Sequence, residues 1–177
     1  MNILDFKPTI FFLLRFLGLY LVGNLMYGFY VTHYEPGPDP LTYSVTEQTA
    51  YFLDLLGWPN EVLPQLVLPT VTIMYHRVAV VSVYEGCNGL NVMIIFAAFL
   101  FAFGPINKSM TWFILVGLII IHLSNLLRIG LLFLVALYRP HYLYFSHKYF
   151  FTAFIYGFVF ILWMIWVRYF SKKKSNV

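Results

Sequence analysis

The sequence predicts an all-α polytopic membrane protein with about four transmembrane helices. Hydrophobic residues make up 61% of the 177 residues, charged residues make up only 10%, and the mean hydropathy is +0.78. A soluble domain of this size would need a larger polar surface. Long apolar runs alternate with short segments that are rich in proline, glycine and charged residues. We therefore expect residues 1–177 to form a single domain embedded in a lipid bilayer.

Four apolar segments are expected to lie in the membrane. An α-helix rises about 1.5 Å per residue, so roughly 20 apolar residues cross the hydrocarbon layer. Arg15 lies in the first segment and is expected to extend its charge toward the N-terminal surface. The third segment exceeds one crossing, so we expect it to bend at Gly130 or to continue as a separate piece. The predicted membrane segments are residues 9–31, 88–104, 110–137 and 148–169.

Residues 32–86 form the long loop region between the first two membrane segments. Three prolines and a glycine within residues 33–40 exclude a regular helix there. The spacing of apolar residues over residues 44–58 predicts an amphipathic helix at the membrane surface. Many β-branched residues between residues 62 and 84 predict one or two strands or an extended segment.

The positions of the basic residues predict the orientation in the membrane. Basic residues gather on the cytoplasmic side of membrane segments, and four crossings place both termini on one side. We therefore expect both termini to be cytoplasmic and residues 32–86 to be extracytoplasmic. The basic residues that support this orientation are Arg168, Lys172, Lys173, Lys174, Lys7 and Lys108.

Cys87 is the only cysteine and is a candidate nucleophile. It stands between Gly86 and Gly89, which allow close approach of a substrate to the backbone. The start of the following helix favours the thiolate, so we expect the thiol at an accessible turn. A single cysteine excludes an internal disulfide and a CxxC site. The alternative is that Cys87 is a small buried hydrophobic residue.

Two other polar residues are expected at the same membrane level as the cysteine. Arg128 lies about 27 Å along the third helix from Met110, and His147 directly precedes the fourth helix. Asn125 shares a helix face with Arg128 and is expected to orient the guanidinium or a substrate carbonyl. The alternative is that Arg128 reaches the surface or pairs with a loop carboxylate such as Glu85.

Several other functions lack their usual residues. The histidines have no i, i+4 partner and the chain has no CxxC pair, so we predict no metal site and no cofactor. No GxSxG or HExxH motif is present, which argues against other hydrolases. The chain has no internal repeat and its polar groups lie at the membrane edge, which argues against a transporter. No segment is typical of a nucleic-acid-binding module.

Taken together, these residues resemble the exosortase/archaeosortase family of membrane-embedded cysteine transpeptidases. The family features read here as Cys87-Asn88-Gly89, Asn125-Leu126-Leu127-Arg128 and a later histidine. The small size and the Glu-Gly-Cys-Asn-Gly-Leu-Asn setting are most similar to the short exosortase F type of Bacteroidetes. The family more often has serine where this chain has Asn88. His147 fits the family histidine better than His141 does.

The resemblance implies both a reaction and a set of site residues. The implied catalytic residues are Cys87, Arg128 and His147, and the residues implied to bind or orient substrate are Asn125, Asn88 and Gly89. Cleavage would pass through a thioester on the cysteine, followed by transfer or hydrolysis. The implied substrates are exported proteins whose C-terminal sorting tail holds a short motif, a transmembrane helix and a basic cluster.

The resemblance also implies a location. It places the protein in the bacterial inner membrane with its active site facing the periplasm, where a sorting tail leaves the bilayer. The alternative function is a non-enzymatic membrane assembly or translocation partner, in which Cys87 and Arg128 are structural.

Overall fold

A computed structural model describes residues 6–104 and 106–175 of the chain. Within these residues, six α-helices and three strands follow one another, with single turns of other helix types between some of them. The helices are α1 (Lys7–Thr32), α2 (Pro40–Leu55), α3 (Leu90–Phe103), α4 (Lys108–Tyr138), α5 (Leu143–Phe145) and α6 (Phe151–Ser175). The strands are β1 (Glu61–Pro64), β2 (Thr70–Tyr75) and β3 (Val78–Tyr84).

The predicted fold class is confirmed. In the described part of the chain, three helical stretches are long and apolar enough to cross a membrane: Lys7–Thr32, Lys108–Tyr138 and Pro140–Tyr169. A fourth apolar helix, α3, has 14 residues and measures about 21 Å at 1.5 Å per residue. It is therefore shorter than the roughly 30 Å of hydrocarbon that a full crossing requires.

Helix α4 is one continuous helix of 31 residues. The expectation that this stretch continues as a separate piece is therefore wrong, and the alternative of a bend at Gly130 stays a prediction. Helix α2 packs across Gly130, where an added Cβ would contact Leu53 and Thr49 at 3.9 and 4.0 Å. In this region the last turns of α4 pack against α2 and the sheet.

Helix α2 begins four residues earlier than the sequence pattern predicts. Asp39 is its N-cap, and the carboxylate accepts hydrogen bonds from the backbone N–H groups of Leu41 and Thr42, each at 3.0 Å. Pro40 occupies the first helical position, where a missing N–H costs nothing. Pro40, one of the three prolines that indicated a loop, is therefore the first residue of the helix.

The three strands form one antiparallel sheet in the order β1-β2-β3. The segment from residue 62 to 84 thus holds a full hairpin and part of a third strand, where one or two strands or an extended segment were expected. His76 and Arg77 form the hairpin turn with φ angles of 49° and 64°. Pro64 ends β1, an edge strand, where the lack of a backbone N–H is tolerated.

Two hydrophobic cores lie along α4. The membrane core joins α3, α4 and α6, and its buried residues are Val92, Phe96, Leu100, Met110, Ile114, Ile121, Ile155, Val159, Leu162 and Trp166. The second core joins α2, the sheet and the last turns of α4, with Val45, Leu53, Ile73, Val83, Cys87, Leu126, Ile129 and Phe133. Cys87 belongs to the second core, and Val92 of the following helix belongs to the first. The cysteine therefore lies where the two cores meet, at the end of the bundle that carries the sheet.

The basic cluster Lys172, Lys173 and Lys174 lies outside the residues whose side chains are described. The orientation that it indicates therefore stays a prediction.

Candidate active site

Cys87 ends a single 3₁₀ turn that links β3 to α3. Gly89 caps α3 with a φ of +87°, a conformation that favours glycine. A Cβ at this position would also come within 3.0 Å of Cγ of Asn125. The expectation of an accessible thiol is wrong, because Cys87 is only 5% exposed. The turn after β3 places the side chain of Cys87 in the second core.

His147 and Arg128 both reach the sulfur of Cys87. The Sγ atom lies 3.3 Å from Nε2 of His147, within hydrogen-bond distance. Nη2 of Arg128 donates to the same sulfur at 4.0 Å. His141 lies instead in the turn Pro140–Tyr142, with its ring centroid 4.1 Å from that of Tyr142. Of the two histidines considered from sequence, the structure brings His147 to the thiol.

His147 is carried by one turn of π-helix, Ser146–Phe150, immediately before α6. A π-turn holds one more residue than an α-turn and therefore changes the direction of the side chains that precede it. The hydroxyl of Thr152 donates to the carbonyl oxygen of His147 at 3.3 Å, which gives that carbonyl a partner within the irregular turn. This local geometry positions the imidazole against Cys87 and was not predicted from sequence.

Burial raises the pKa of the Cys87 thiol above its ordinary value. Arg128 and hydrogen bonds with Tyr84 lower this pKa, and the charge of Glu85 raises it further, but burial is the largest effect. The influence of the helix start, expected from sequence to favour the thiolate, is therefore outweighed. At neutral pH the resting thiol is protonated, so the chemistry needs a base within reach, and the nearest base is His147.

Arg128 is a buried cation that no carboxylate pairs with among the residues that the structure describes. The alternative of an ion pair with Glu85 is not observed there. Its guanidinium reaches Cys87 through Nη2, while its Nε is buried without a partner. A buried charge without a counter-ion is costly. Arg128 is thus poised to stabilise negative charge that forms at or beside the sulfur.

Asn125 holds the backbone of Cys87. Its Nδ2 donates to the carbonyl oxygen of Cys87 at 2.9 Å, and the side chain is fully buried. From sequence we expected this amide to orient the guanidinium of Arg128 or a substrate carbonyl. The structure gives it a contact with the turn of Cys87 because that turn packs directly on the face of α4 that Asn125 shares with Arg128.

Asn88 points away from the thiol into a buried polar network that ties the cysteine turn to α1 and α2. Its Nδ2 donates to the hydroxyl of Tyr27 at 2.7 Å and to the hydroxyl of Thr42 at 3.0 Å. The Tyr27 hydroxyl in turn donates to the carbonyl oxygen of Glu85 at 3.0 Å. The Thr42 hydroxyl donates to the carboxylate of Asp39 at 2.5 Å. Asn88 therefore fixes the position of the cysteine turn relative to α1 and α2.

Sequence reasoning missed Tyr27, Thr42 and Asp39. The Asp39-Pro40 pair is a recognisable helix start, which signals a cap but not its link to the cysteine. Tyr27 is one aromatic residue among many in an apolar segment. Only the packing of α1 and α2 against the turn reveals their shared contact.

The described residues contain no group of three or more His, Cys, Asp or Glu side chains arranged to hold a metal ion. The thiol, imidazole and guanidinium are groups that can act as nucleophile, base and stabiliser of negative charge in acyl transfer through a thioester.

The sequence of this chain matches the family model of the transmembrane exosortases over residues 7–169. The match extends through the N-terminal half, where the sequence motifs gave no specific signal. It does not distinguish subtypes, so the short exosortase F type stays a prediction. No curated protein and no solved structure matches the chain. Family membership indicates a transpeptidase role in protein sorting. The chain therefore belongs to the transmembrane exosortase family.

Proposed function

We propose that this exosortase family member is a cysteine transpeptidase in which Cys87, His147 and Arg128 carry the reaction. The observation that supports this most is the convergence of three elements on one sulfur atom, with Nε2 of His147 at 3.3 Å and Nη2 of Arg128 at 4.0 Å. A cysteine that served only packing would need neither neighbour. The buried guanidinium also lacks a carboxylate partner in the described chain, which suits a group that meets its negative charge during reaction.

The first half of the reaction forms a thioester. The thiol proton moves from Sγ of Cys87 to Nε2 of His147, and the sulfur attacks the carbonyl carbon of the scissile peptide bond. Arg128 stabilises the negative charge, first on sulfur and then on the carbonyl oxygen. When the tetrahedral intermediate collapses, the C–N bond breaks and His147 gives its proton to the leaving amine.

The second half of the reaction releases the acyl group from the enzyme. An acceptor amine or a water molecule attacks the thioester carbonyl and loses its proton to His147. The C–S bond then breaks, and the sulfur regains the proton. The same three groups therefore serve both halves of the cycle in reversed roles.

The proposed substrates are exported proteins with a C-terminal tail made of a short motif, a transmembrane helix and a basic cluster. The proposed location is the bacterial inner membrane, with both termini cytoplasmic and the site facing the periplasm. Such a tail delivers its scissile bond to the membrane boundary, and confinement to one bilayer raises the effective concentration of enzyme and substrate.

The proposal is tested by comparing the C-termini of membrane and exported proteins in cells that carry the wild-type chain or Cys87→Ala at equal expression. We expect a set of proteins to lose a hydrophobic C-terminal tail only with the wild type, and the mass of the new C-terminus reports transfer or hydrolysis. Identical C-termini in both strains, with both proteins inserted normally, would instead support the non-enzymatic assembly partner.

The orientation is tested separately with an engineered cysteine between Pro36 and Asp39 in a Cys87→Ala background. The proposal expects an impermeant thiol reagent to label this residue from the outside of the inner membrane. Labelling only from the cytoplasmic side would invert the topology.

A further inference from the structure

A cavity of about 300 Å³ lies beside the Cys87–His147 pair, between α3, α6 and the end of β3. Its polar walls include Asn91, Arg128, His147 and Lys148. This volume lies at the lower end of the range of ligand pockets, so the cavity accommodates a short stretch of chain. Arg128 and His147 are explained by the nucleophile, whereas Asn91, on the first turn of α3, is not.

Two polar atoms on residues that line this cavity are buried without hydrogen-bond partners in the described part of the chain. One is Oδ1 of Asn91, an acceptor, and the other is Nε of Arg128, a donor. An unsatisfied buried polar atom is destabilising, and most such atoms in folded proteins have a partner. Nη2 of Arg128 already contacts the sulfur of Cys87, so Nε is a separate and unused donor.

One acceptor and one donor are the complement of a peptide backbone, which offers an N–H donor and a C=O acceptor at each residue. Both belong to residues at the cavity beside the nucleophile. Asn91 as a whole is only partly buried and lines the cavity, and binding there requires its amide to rotate until Oδ1 faces the bound chain.

We propose that this cavity is a subsite for the backbone of the substrate polypeptide, in which Oδ1 of Asn91 accepts a hydrogen bond from one substrate N–H. Nε of Arg128 donates to a neighbouring substrate carbonyl. Asn91 is thus a positioning residue that fixes the register of the scissile bond against Cys87. The inference rests on the proposed transpeptidase function and adds a recognition mode that reads backbone geometry, independent of substrate side chains.

The test combines a change in the enzyme with a change in the substrate. The probe is a reporter that ends in the tail of a protein whose processing depends on Cys87. Single backbone amides near the cut site, excluding the scissile bond, are replaced by esters, which lack the N–H. The processing rate of each reporter is measured with the wild type, Asn91→Leu and Asn91→Asp. Asn24→Leu is the matched control, because among the described residues the amide of Asn24 bonds only within its own helix, to the carbonyl oxygen of Tyr20 at 2.8 Å.

We expect one ester position to slow the wild type by about 3- to 10-fold, the effect of one hydrogen bond. Asn91→Leu should process the unmodified reporter more slowly by a similar factor and should lose the penalty at that ester position. Asn91→Asp keeps an acceptor and should keep the penalty, as should Asn24→Leu.

If Asn91→Leu shows the same penalty as the wild type at each ester position, the subsite is overturned. The transpeptidase proposal would still stand. An unmodified reporter that the wild type does not process would overturn both. A penalty that disappears in Asn91→Asp as well would also contradict the role of Oδ1 as an acceptor.

Discussion

Removing the hydroxyl of Tyr27 should impair the reaction although this residue lies on a different helix from all three reacting groups. The hydroxyl accepts from Nδ2 of Asn88 at 2.7 Å and donates to the carbonyl oxygen of Glu85 at 3.0 Å. In Tyr27→Phe, Asn88 keeps its bond to Thr42, and the Glu85 carbonyl keeps a long bond from the backbone N–H of Asn88 at 3.5 Å. The two hydrogen bonds that tie the cysteine turn to α1 are lost.

The expected magnitude follows from those two lost bonds. Hydrogen bonds contribute about 0.5–1.5 kcal/mol each, and a combined loss of about 1–2 kcal/mol corresponds to roughly a 5- to 30-fold change in an equilibrium. Both bonds hold the turn of Cys87, so their loss lowers the fraction of molecules in which the sulfur lies within hydrogen-bond distance of His147. We therefore expect the single-turnover processing rate to fall by about that factor, with little change in substrate affinity.

The assay measures the single-turnover rate and the rate of Cys87 alkylation by a small thiol reagent for Tyr27→Phe and for Tyr20→Phe. Tyr20 lies on the same helix, and its hydroxyl has no hydrogen-bond partner among the described residues, so its loss controls for the chemical change alone. Thermal unfolding of both variants and the wild type, measured in one detergent, separates a local change at the cysteine turn from a loss of overall stability. Equal rates for the two variants and the wild type would refute the positioning role of the network.

Arg128→Lys should lose most of its activity, by roughly 10- to 100-fold, because an ammonium lacks the planar fork of donors; a steady-state rate near that of the wild type would indicate a need for charge alone. Arg128→Gln should move the pH profile of Cys87 alkylation to higher pH, since the guanidinium opposes the rise in the pKa of the thiol that burial causes, and an unchanged profile would contradict that effect. His147→Ala should abolish processing while His141→Ala retains it; a processing assay with the opposite result would reassign the base. Gly89→Ala should lower the free energy of unfolding by about 1–3 kcal/mol, because alanine is strained at a φ of +87° and its Cβ would crowd Asn125, and unchanged chemical denaturation would contradict this.

The membrane fold could be predicted because it depends on composition and on the length of apolar runs. The common level of Cys87, Arg128 and His147 could be predicted because helical rise converts sequence position into depth. The burial of Cys87 could not, since it depends on how the turn after β3 packs against α4. The continuity of α4 past Gly130 was likewise not predicted, because the local sequence does not reveal that α2 packs beside this glycine.

The supporting residues were hidden from sequence for a related reason. Asp39 and Thr42 act on Asn88 across α2, and Tyr27 acts on it from α1, so their role exists only in tertiary contacts. Asn91 ends the Glu-Gly-Cys-Asn-Gly-Leu-Asn setting, but the sequence gave it no role of its own, because its significance lies in a buried oxygen that has no partner in the described part of the chain. In each case the role of the residue follows from its tertiary contacts in the structure, which the residue type does not indicate.

The most direct test of the central claim is to trap the acyl-enzyme and locate it by mass spectrometry. The wild-type protein is mixed with an intact substrate that it cleaves. The reaction is quenched in acid during the first turnover, and the protein is digested. We predict that the peptide containing Cys87 gains the mass of the substrate peptide that ends at the cut site. Hydroxylamine should remove this mass, because the two are joined by a thioester. Substrate cleavage with no such adduct on Cys87, together with continued cleavage by Cys87→Ala, would contradict the claim that this cysteine is the nucleophile.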